Sequence, residues 1–267
     1  MSITHEIHKA FDNSQELRAV FLDISKALDT VWHDGLIFKL ERIGIEGEML
    51  NIIKSFLSNR KQRVTIDGKY SEWVDVEAGV PQGSILGPIL FLIFINDLIE
   101  VVESDIRIFA DDTFIFRIVD QFSTDILNSD LRKISAWAKQ WKLVFNPNIE
   151  KQAVEIVFSN NKYKTIVVPL TFNDVPVKLV EETKHLGMIL DSRLNFESHM
   201  ENKLAKARRG LGLMKQLKKL VDMKTLENIY KLNDRTHIEY GDLVFDVADL
   251  TKPKPFTSKT SNEKNKC

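Results

Sequence analysis

The sequence predicts an α+β protein, in which strand pairs and helices follow one another up to about residue 190 and helices alone come after. Ile106 to Val119 holds two β-type runs around Asp111 and Asp112, with Ile106, Ile108 and Ala110 alternating against Arg107. Arg60 to Ile66 and Tyr70 to Val76 flank Asp67-Gly68, a strong hairpin signal. Leu127, Leu131, Ile134, Ala138 and Trp141 recur at helical spacing.

Taken in order, residues 1–16 read as a short helix with Ile3, Ile7, Ala10 and Phe11 on one stripe. Ala19 to Asp23 is a short buried strand ending in a carboxylate, and Ser25 to His33 continues into a helical segment, with another around Glu48 to Leu57. Gly79 to Pro88 is a stiff Gly/Pro loop that opens a buried apolar helix over Ile89 to Ile99, and its glycines allow close backbone approach to a ligand. Ser123 or Thr124 can cap the helix that Leu143 to Pro147 ends. Strand-like runs follow at Ala153 to Phe158, Thr165 to Leu170 and Val175 to Val180, the last two on either side of an Asn173-Asp174 turn. A long helix then places Met200, Leu204, Ala207, Leu211 and Met214 on an apolar stripe. Its other faces carry Lys203, Lys206, Arg208, Arg209, Lys215, Lys218 and Lys219, a one-signed patch suited to phosphate contact. From Thr251 onward there is little to bury, and residues 251–267 are expected to be a disordered polar tail.

Composition sets bounds on these readings. The chain of 267 residues is 43% hydrophobic and 28% charged, an ordinary balance for a globular protein. Its net charge of -1 gives no whole-chain case for nucleic acid or an anionic membrane, so any basic surface is local. A single cysteine, Cys267, excludes an intrachain disulfide and a cysteine metal cluster. The longest apolar run, Ile85 to Ile95, is interrupted by Gly87 and Pro88 and is too short to span a bilayer. His5, Glu6, His8 and Lys9 break up any secretory signal, so an intracellular site, nucleus or cytoplasm, is expected.

Asp23 at a strand end and Asp111-Asp112 at a hairpin tip are acids from separate elements. Adjacent anions with apolar flanks repel, and a divalent cation relieves that. Two-metal phosphoryl transfer needs carboxylates converging on ions roughly 3.5–4 Å apart. Hard oxygen ligands select Mg²⁺, with Mn²⁺ a possible substitute.

On these residues the chain resembles the reverse transcriptase of non-LTR (LINE-type, jockey-like) retrotransposons, in order from about residue 18 to about 250. Leu22 to Asp29 with Val31 to Gly35 resembles the family's first palm motif, and Gly79 to Pro88 the loop under the templating base pair. Phe109 to Thr113 resembles the catalytic hairpin. His185 to Gly187, continuing through Asp191, Leu194, Phe196 and His199, resembles the primer-gripping hairpin, and His237 to Asp242 a thumb-end signature. The resemblance implies an α+β polymerase palm, an antiparallel β-sheet with packed helices over residues 18–192, then a helical thumb-like region over 193–250.

By the same resemblance Asp23, Asp111 and Asp112 are catalytic and bind two Mg²⁺ ions. Leu28, Gln82, Gly83 and Lys151 meet nucleotide or template. His185, Leu186, Gly187, Lys203, Lys206, Arg208 and Arg209 meet primer or duplex. The implied partners are an RNA template, a DNA primer and deoxynucleoside triphosphates. Leu28 stands where the family has an aromatic residue that excludes a ribose 2′-hydroxyl, and His185 where it has a tyrosine. Residues 1–17 look like a remnant of the fingers. Loss of most of the fingers leads to the expectation of a truncated copy with weak or no activity, or of a non-catalytic nucleic-acid-binding remnant.

Overall fold

The computed structural model describes residues 3–146, 148, 152–161 and 165–241. Lys151, Asp242 and the 251–267 tail lie outside the described residues. The chain divides into two compact units, residues 1–187 and 188–267.

The first unit opens with helix α1 (Ile3–Asp12), which buries Ile3, Ile7 and Ala10. Strand β1 (Leu17–Asp23) follows, then a short 3₁₀ turn (Ala27–Asp29), α2 (His33–Arg42) and α3 (Gly47–Leu57). The Asp67-Gly68 hairpin forms as two short ladders, β2 (Lys61–Gln62) with β5 (Val74–Asp75) and β3 (Thr65–Ile66) with β4 (Lys69–Tyr70). Helix α4 (Leu86–Ile95) starts earlier than the apolar run suggested, because Ser84 Oγ accepts a hydrogen bond from the Gly87 N–H and orders its first turn. The helix is also only half buried: Leu90, Phe91, Phe94 and Ile95 face the core, while Ile85, Ile89 and Leu92 are exposed.

Strands β6 (Asp105–Phe109) and β7 (Asp112–Ile118) precede α5 (Ser123–Gln140), and β8 (Ala153–Phe158) comes after it. Neither Ser123 nor Thr124 caps α5. The Ser123 hydroxyl donates back to the Asp120 carbonyl, and Thr124 Oγ1 accepts from Arg18. The remaining strands of the unit are β9 (Thr171–Phe172), β10 (Val175–Pro176), β11 (Lys178–Leu179) and β12 (Glu182–His185). Asn173 and Asp174, both at positive φ, make the expected turn between β9 and β10.

The main sheet runs β11-β8-β1-β7-β6. It is antiparallel except where β11 joins β8 in parallel, so the expectation of an antiparallel sheet needs that correction. Thr165 to Leu170 is not a strand, because side chains take the backbone groups a ladder would have used. Glu16 accepts from the Thr165 N–H, and Arg18 Nη2 donates to the Val168 carbonyl at 2.6 Å.

Arg18 is fully buried in the central strand and pairs with Glu155 of β8 at 2.6 Å. Two charges can sit in a sheet this way only because each is paired and hydrogen-bonded. Lys39 is a second buried cation. Its Nζ donates to the Phe94 carbonyl and to Asp97 at 2.6 Å each and sits 3.7 Å from the Trp141 ring, which ties α2 to α4 and α5.

The second unit starts with β13 (Met188–Asp191) and continues as α6 (Glu197–Leu217), α7 (Met223–Ile229), a π-helical turn (Tyr230–Arg235) and α8 (Thr236–Glu239). The Asp191 carboxylate accepts from the N–H groups of Arg193, Asn195 and Phe196 and so sets the start of α6. The predicted stripe of α6 is overturned in part. Met200, Leu204 and Leu211 are exposed, whereas His199, Lys203 and Gly210 are buried. Gly210 decides this, because without a Cβ it lets the Asp234 carboxylate pack directly onto the helix. Lys203 therefore leaves the basic face, which keeps Lys206, Arg208 and Arg209 exposed.

The Arg18–Glu155 pair gives a stability test. Arg18→Met strands a buried carboxylate and is expected to cost about 3–5 kcal/mol in denaturant unfolding, with most of that recovered in Arg18→Met/Glu155→Leu. Equal loss in the single and double variants would contradict the account.

Candidate active site

The site is built by the register of β1. In the antiparallel ladder with β7, Leu17 lies opposite Ile118 and the pairing ends with Asp23 opposite Asp112. Period-two alternation would place Asp23 on the other face if the register slipped by one residue. The β6–β7 loop closes on the Phe109–Asp112 pair, so its two turn residues are Ala110 and Asp111, not Asp111 and Asp112. Asp112 is already the first residue of its strand. Ala110 takes the turn's strained position at φ +53°, next to the carboxylates.

All three acidic residues are exposed, and their mutual repulsion shows at Asp112. Partial desolvation, then the charge of Asp111, then that of Asp23 raise its carboxyl above the ordinary carboxylate range. Asp23 is held from the other side. Asn146 donates its side-chain amide to Asp23 Oδ2 at 2.7 Å and its backbone N–H to the Asp23 carbonyl at 2.9 Å. An Ile24–Phe145 bridge and the Ser25 N–H bond to the Val144 carbonyl extend that contact. Nothing in the local pattern of Leu143 to Asn146 announces a partner so far away in sequence.

A second loop meets the first motif. Gly79 donates its N–H to the Val31 carbonyl and Val80 to the Leu28 carbonyl, each at 2.8 Å. At φ +82°, Gly79 lies so close that a Cβ would come within 2.6 Å of the Asp29 backbone, so only glycine fits there. Gln82 donates its amide to Asp29 Oδ1 at 2.7 Å. Arg60 Nη2 donates to the Gly79 carbonyl at 2.6 Å, and His33 Nε2 lies 2.9 Å from the same oxygen. Asp29, Arg60 and His33 were not singled out from the sequence; the hydrogen bonds that join them are long-range. Leu28 is half-buried against the core, and Gln82 and Gly83 are exposed.

His185 is buried beside the Phe21 and Phe114 rings at 5.1 and 4.9 Å, and burial holds its imidazole below the ordinary pKa, in the neutral form. Leu186 and Gly187, both at positive φ, form the turn after it.

Among the described residues no group of three or more His, Cys, Asp or Glu side chains closes around a common point as a ready ligand cage. The donor set still fits divalent cations in its chemistry. It offers hard carboxylate oxygens from two facing strands, and their repulsion is relieved by positive charge. No helix among the described residues is long and apolar enough to cross a membrane.

Crowding at Asp112 predicts a pH-dependent stability effect. A carboxyl whose folded pKa is raised favours folding at low pH and loses that contribution as pH rises through the folded value. Asp112→Asn is therefore expected to raise Tm at neutral pH in metal-free buffer, with the gain fading as pH falls into the carboxylate range. A gain that is the same at every pH would rule out repulsion as its source.

The model for "Reverse transcriptase (RNA-dependent DNA polymerase)" matches residues 1–190. A probable RNA-directed DNA polymerase from transposon BS of Drosophila melanogaster is 31% identical over 238 residues, 84% of this chain and 25% of that protein. The RNA-directed DNA polymerase from mobile element jockey of the same organism is 31% identical over 253 residues, 90% of this chain and 27% of that protein. The corresponding X-element protein is 30% identical over 206 residues, 74% of this chain and 22% of that protein. The chain thus spans about a quarter of the length of the curated relatives it matches. A solved apo telomerase from Candida tropicalis aligns at 13% identity with a TM-score of 0.48, over 73% of this chain and 39% of that one, too distant a likeness to add to the assignment. With its palm motifs in order and its relatives drawn from mobile elements, the chain belongs to the reverse transcriptase family, as a reverse transcriptase domain of the non-LTR retrotransposon kind.

Proposed function

We propose that the first unit is a polymerase palm that extends a DNA primer on an RNA template, and that the second is its thumb-like region. The observation that carries this is the pairing of Asp23 with Asp112 beside Asp111 at one end of the central strands. Asp23, Asp111 and Asp112 would hold two Mg²⁺ ions, or Mn²⁺ in their place. When bound, the ions supply the acidity that ionises a primer 3′-hydroxyl and the charge that offsets the leaving pyrophosphate.

The chain's own residues supply position. Asn146 orients the Asp23 carboxylate from outside the site. The Asp29–Gln82 bond holds the glycine-rich loop against the first motif, with Gln82 and Gly83 at its exposed tip to meet nucleotide or template. Leu28, whose carbonyl accepts from Val80, would lie against the sugar of the incoming nucleotide. Leu186 and Gly187 would meet the primer through their turn, with the buried His185 ring as its support.

A second reading, a nucleic-acid-binding remnant without catalysis, is favoured by α6. Lys206, Arg208, Arg209 and Lys215 are exposed on it and Lys218 and Lys219 just past its end, and a phosphate-contacting face would keep its value without chemistry.

Primer extension separates the two. With an RNA template, a DNA primer, deoxynucleotides and Mg²⁺, wild-type extension is expected to fall by at least about a hundredfold in Asp111→Ala/Asp112→Ala while template–primer binding persists. Binding without any wild-type extension favours the remnant. Leu28→Phe is expected to sharpen rejection of ribonucleotides, because a ring fills space that leucine leaves to a 2′-hydroxyl; equal rejection by both chains would sink that role for Leu28.

A further inference from the structure

The hairpin between α3 and the glycine-rich loop carries a built feature that the catalytic reading does not use. Thr65 pairs with Tyr70 and Lys61 with Asp75, yet one more residue separates Tyr70 from Asp75 than separates Lys61 from Thr65. The extra residue is a β-bulge within Ser71 to Trp73, fixed by the Val64 N–H donating to Ser71 Oγ at 2.9 Å and by the Ser71 N–H donating to the Val64 carbonyl. A bulge re-aims side chains. Here it brings both Tyr70 and Trp73 to Arg63, whose guanidinium lies 4.0 Å from one ring and 4.5 Å from the other.

Both rings are more than half exposed, Tyr70 at 61% and Trp73 at 56%. Two exposed aromatic residues side by side on one guanidinium form a patch of the kind that marks an interaction site. Among the described residues the Arg63 guanidinium has no carboxylate or hydrogen-bond partner, and Asp75 of the facing strand pairs with Lys61 at 3.6 Å. The guanidinium thus rests against two rings with its N–H groups unspent, an arrangement that suits a phosphate oxygen. The outer ring faces suit bases, which stack without regard to sequence. The hairpin also leads directly into a cleft of about 790 Å³, where Lys61 and Gln62 of its first strand line the wall with Lys26, Arg60, Asp29 and Gln82.

We propose that this face binds single-stranded nucleic acid, with Tyr70 and Trp73 stacking on bases and Arg63 taking a phosphate. As the path of the unpaired template strand toward the cleft, it rests on the polymerase reading; as a binding site it can be tested apart from it. A second copy of this chain is the competing occupant. The bulge, the oriented guanidinium and the continuity with the Gln82 cleft favour nucleic acid.

The probe is a fluorescently labelled, unstructured oligouridine RNA, titrated by anisotropy over a range of salt concentrations against the whole chain. Trp73→Ala is expected to bind about tenfold more weakly with an unchanged salt slope, since it removes stacking and no charge. Trp73→Phe keeps a ring and should restore most of the affinity, which also shows that the hairpin still folds. Arg63→Gln should weaken binding and flatten the slope by about one phosphate contact. Affinity unchanged in both Trp73→Ala and Arg63→Gln overturns the proposal. So does a dimer seen in sedimentation that Trp73→Ala dissociates, which would assign the face to a second copy. Neither result touches the polymerase reading, which is decided by primer extension with the wild type and with Asp111→Ala/Asp112→Ala.

Discussion

The antiparallel ladder between β1 and β7 is the constraint on which the rest of the site depends. A carboxylate at a strand end has no fixed neighbour until the strand is paired. Here the ladder fixes Asp23 opposite Asp112 and carries Asp111 beside them on the connecting turn. Gathering these acids costs stability: partial desolvation first, and then the charges of Asp111 and Asp23, raise the Asp112 carboxyl. The cost is borne by what lies behind the tip: β1 is paired on both sides, with Val20 and Ile115 fully buried and the Arg18–Glu155 pair locking it to β8. A strand held this firmly can present repelling acids at its end without fraying. The reverse transcriptase assignment and the fold meet at this point.

Local signals in the sequence carried the elements well. The strand ending at Asp23, the Asp67-Gly68 hairpin, the helix with Leu127, Leu131 and Ile134, and the Asn173-Asp174 turn each follow from residues close together in the chain. What failed did so for non-local reasons. Thr165 to Leu170 has strand composition, but Glu16 and Arg18 take its backbone groups from far away in sequence. The α6 stripe was read from its leucines and methionines, while packing followed the absent Cβ of Gly210 and the Asp234 that fills its place. Lys203 belongs by sequence to a solvated basic face and is buried instead.

The site shows the same division. Asp23, Asp111, Asp112, Gln82 and Gly83 stand out because their motifs are contiguous. The supports around them do not. Asn146 acts on Asp23, and Asp29 on Gln82, through bonds that only the folded chain reveals. Even the hairpin tip was displaced by one residue. Ala110, which looked like the last member of an alternating strand, takes the strained turn position instead. Residues proposed to bear the chemistry stand out by type and order, whereas the neighbours that hold them depend on the tertiary path.

The most direct test of the central claim is Mn²⁺ binding followed by the electron paramagnetic resonance of the free ion. If the paired strands bring the acids to one cation site, Asp23→Asn and Asp112→Asn should weaken binding alike, although the two residues lie on different strands. Undiminished Mn²⁺ binding in Asp23→Asn, with the variant folded, would contradict the account and leave the hairpin tip as an acidic turn of its own.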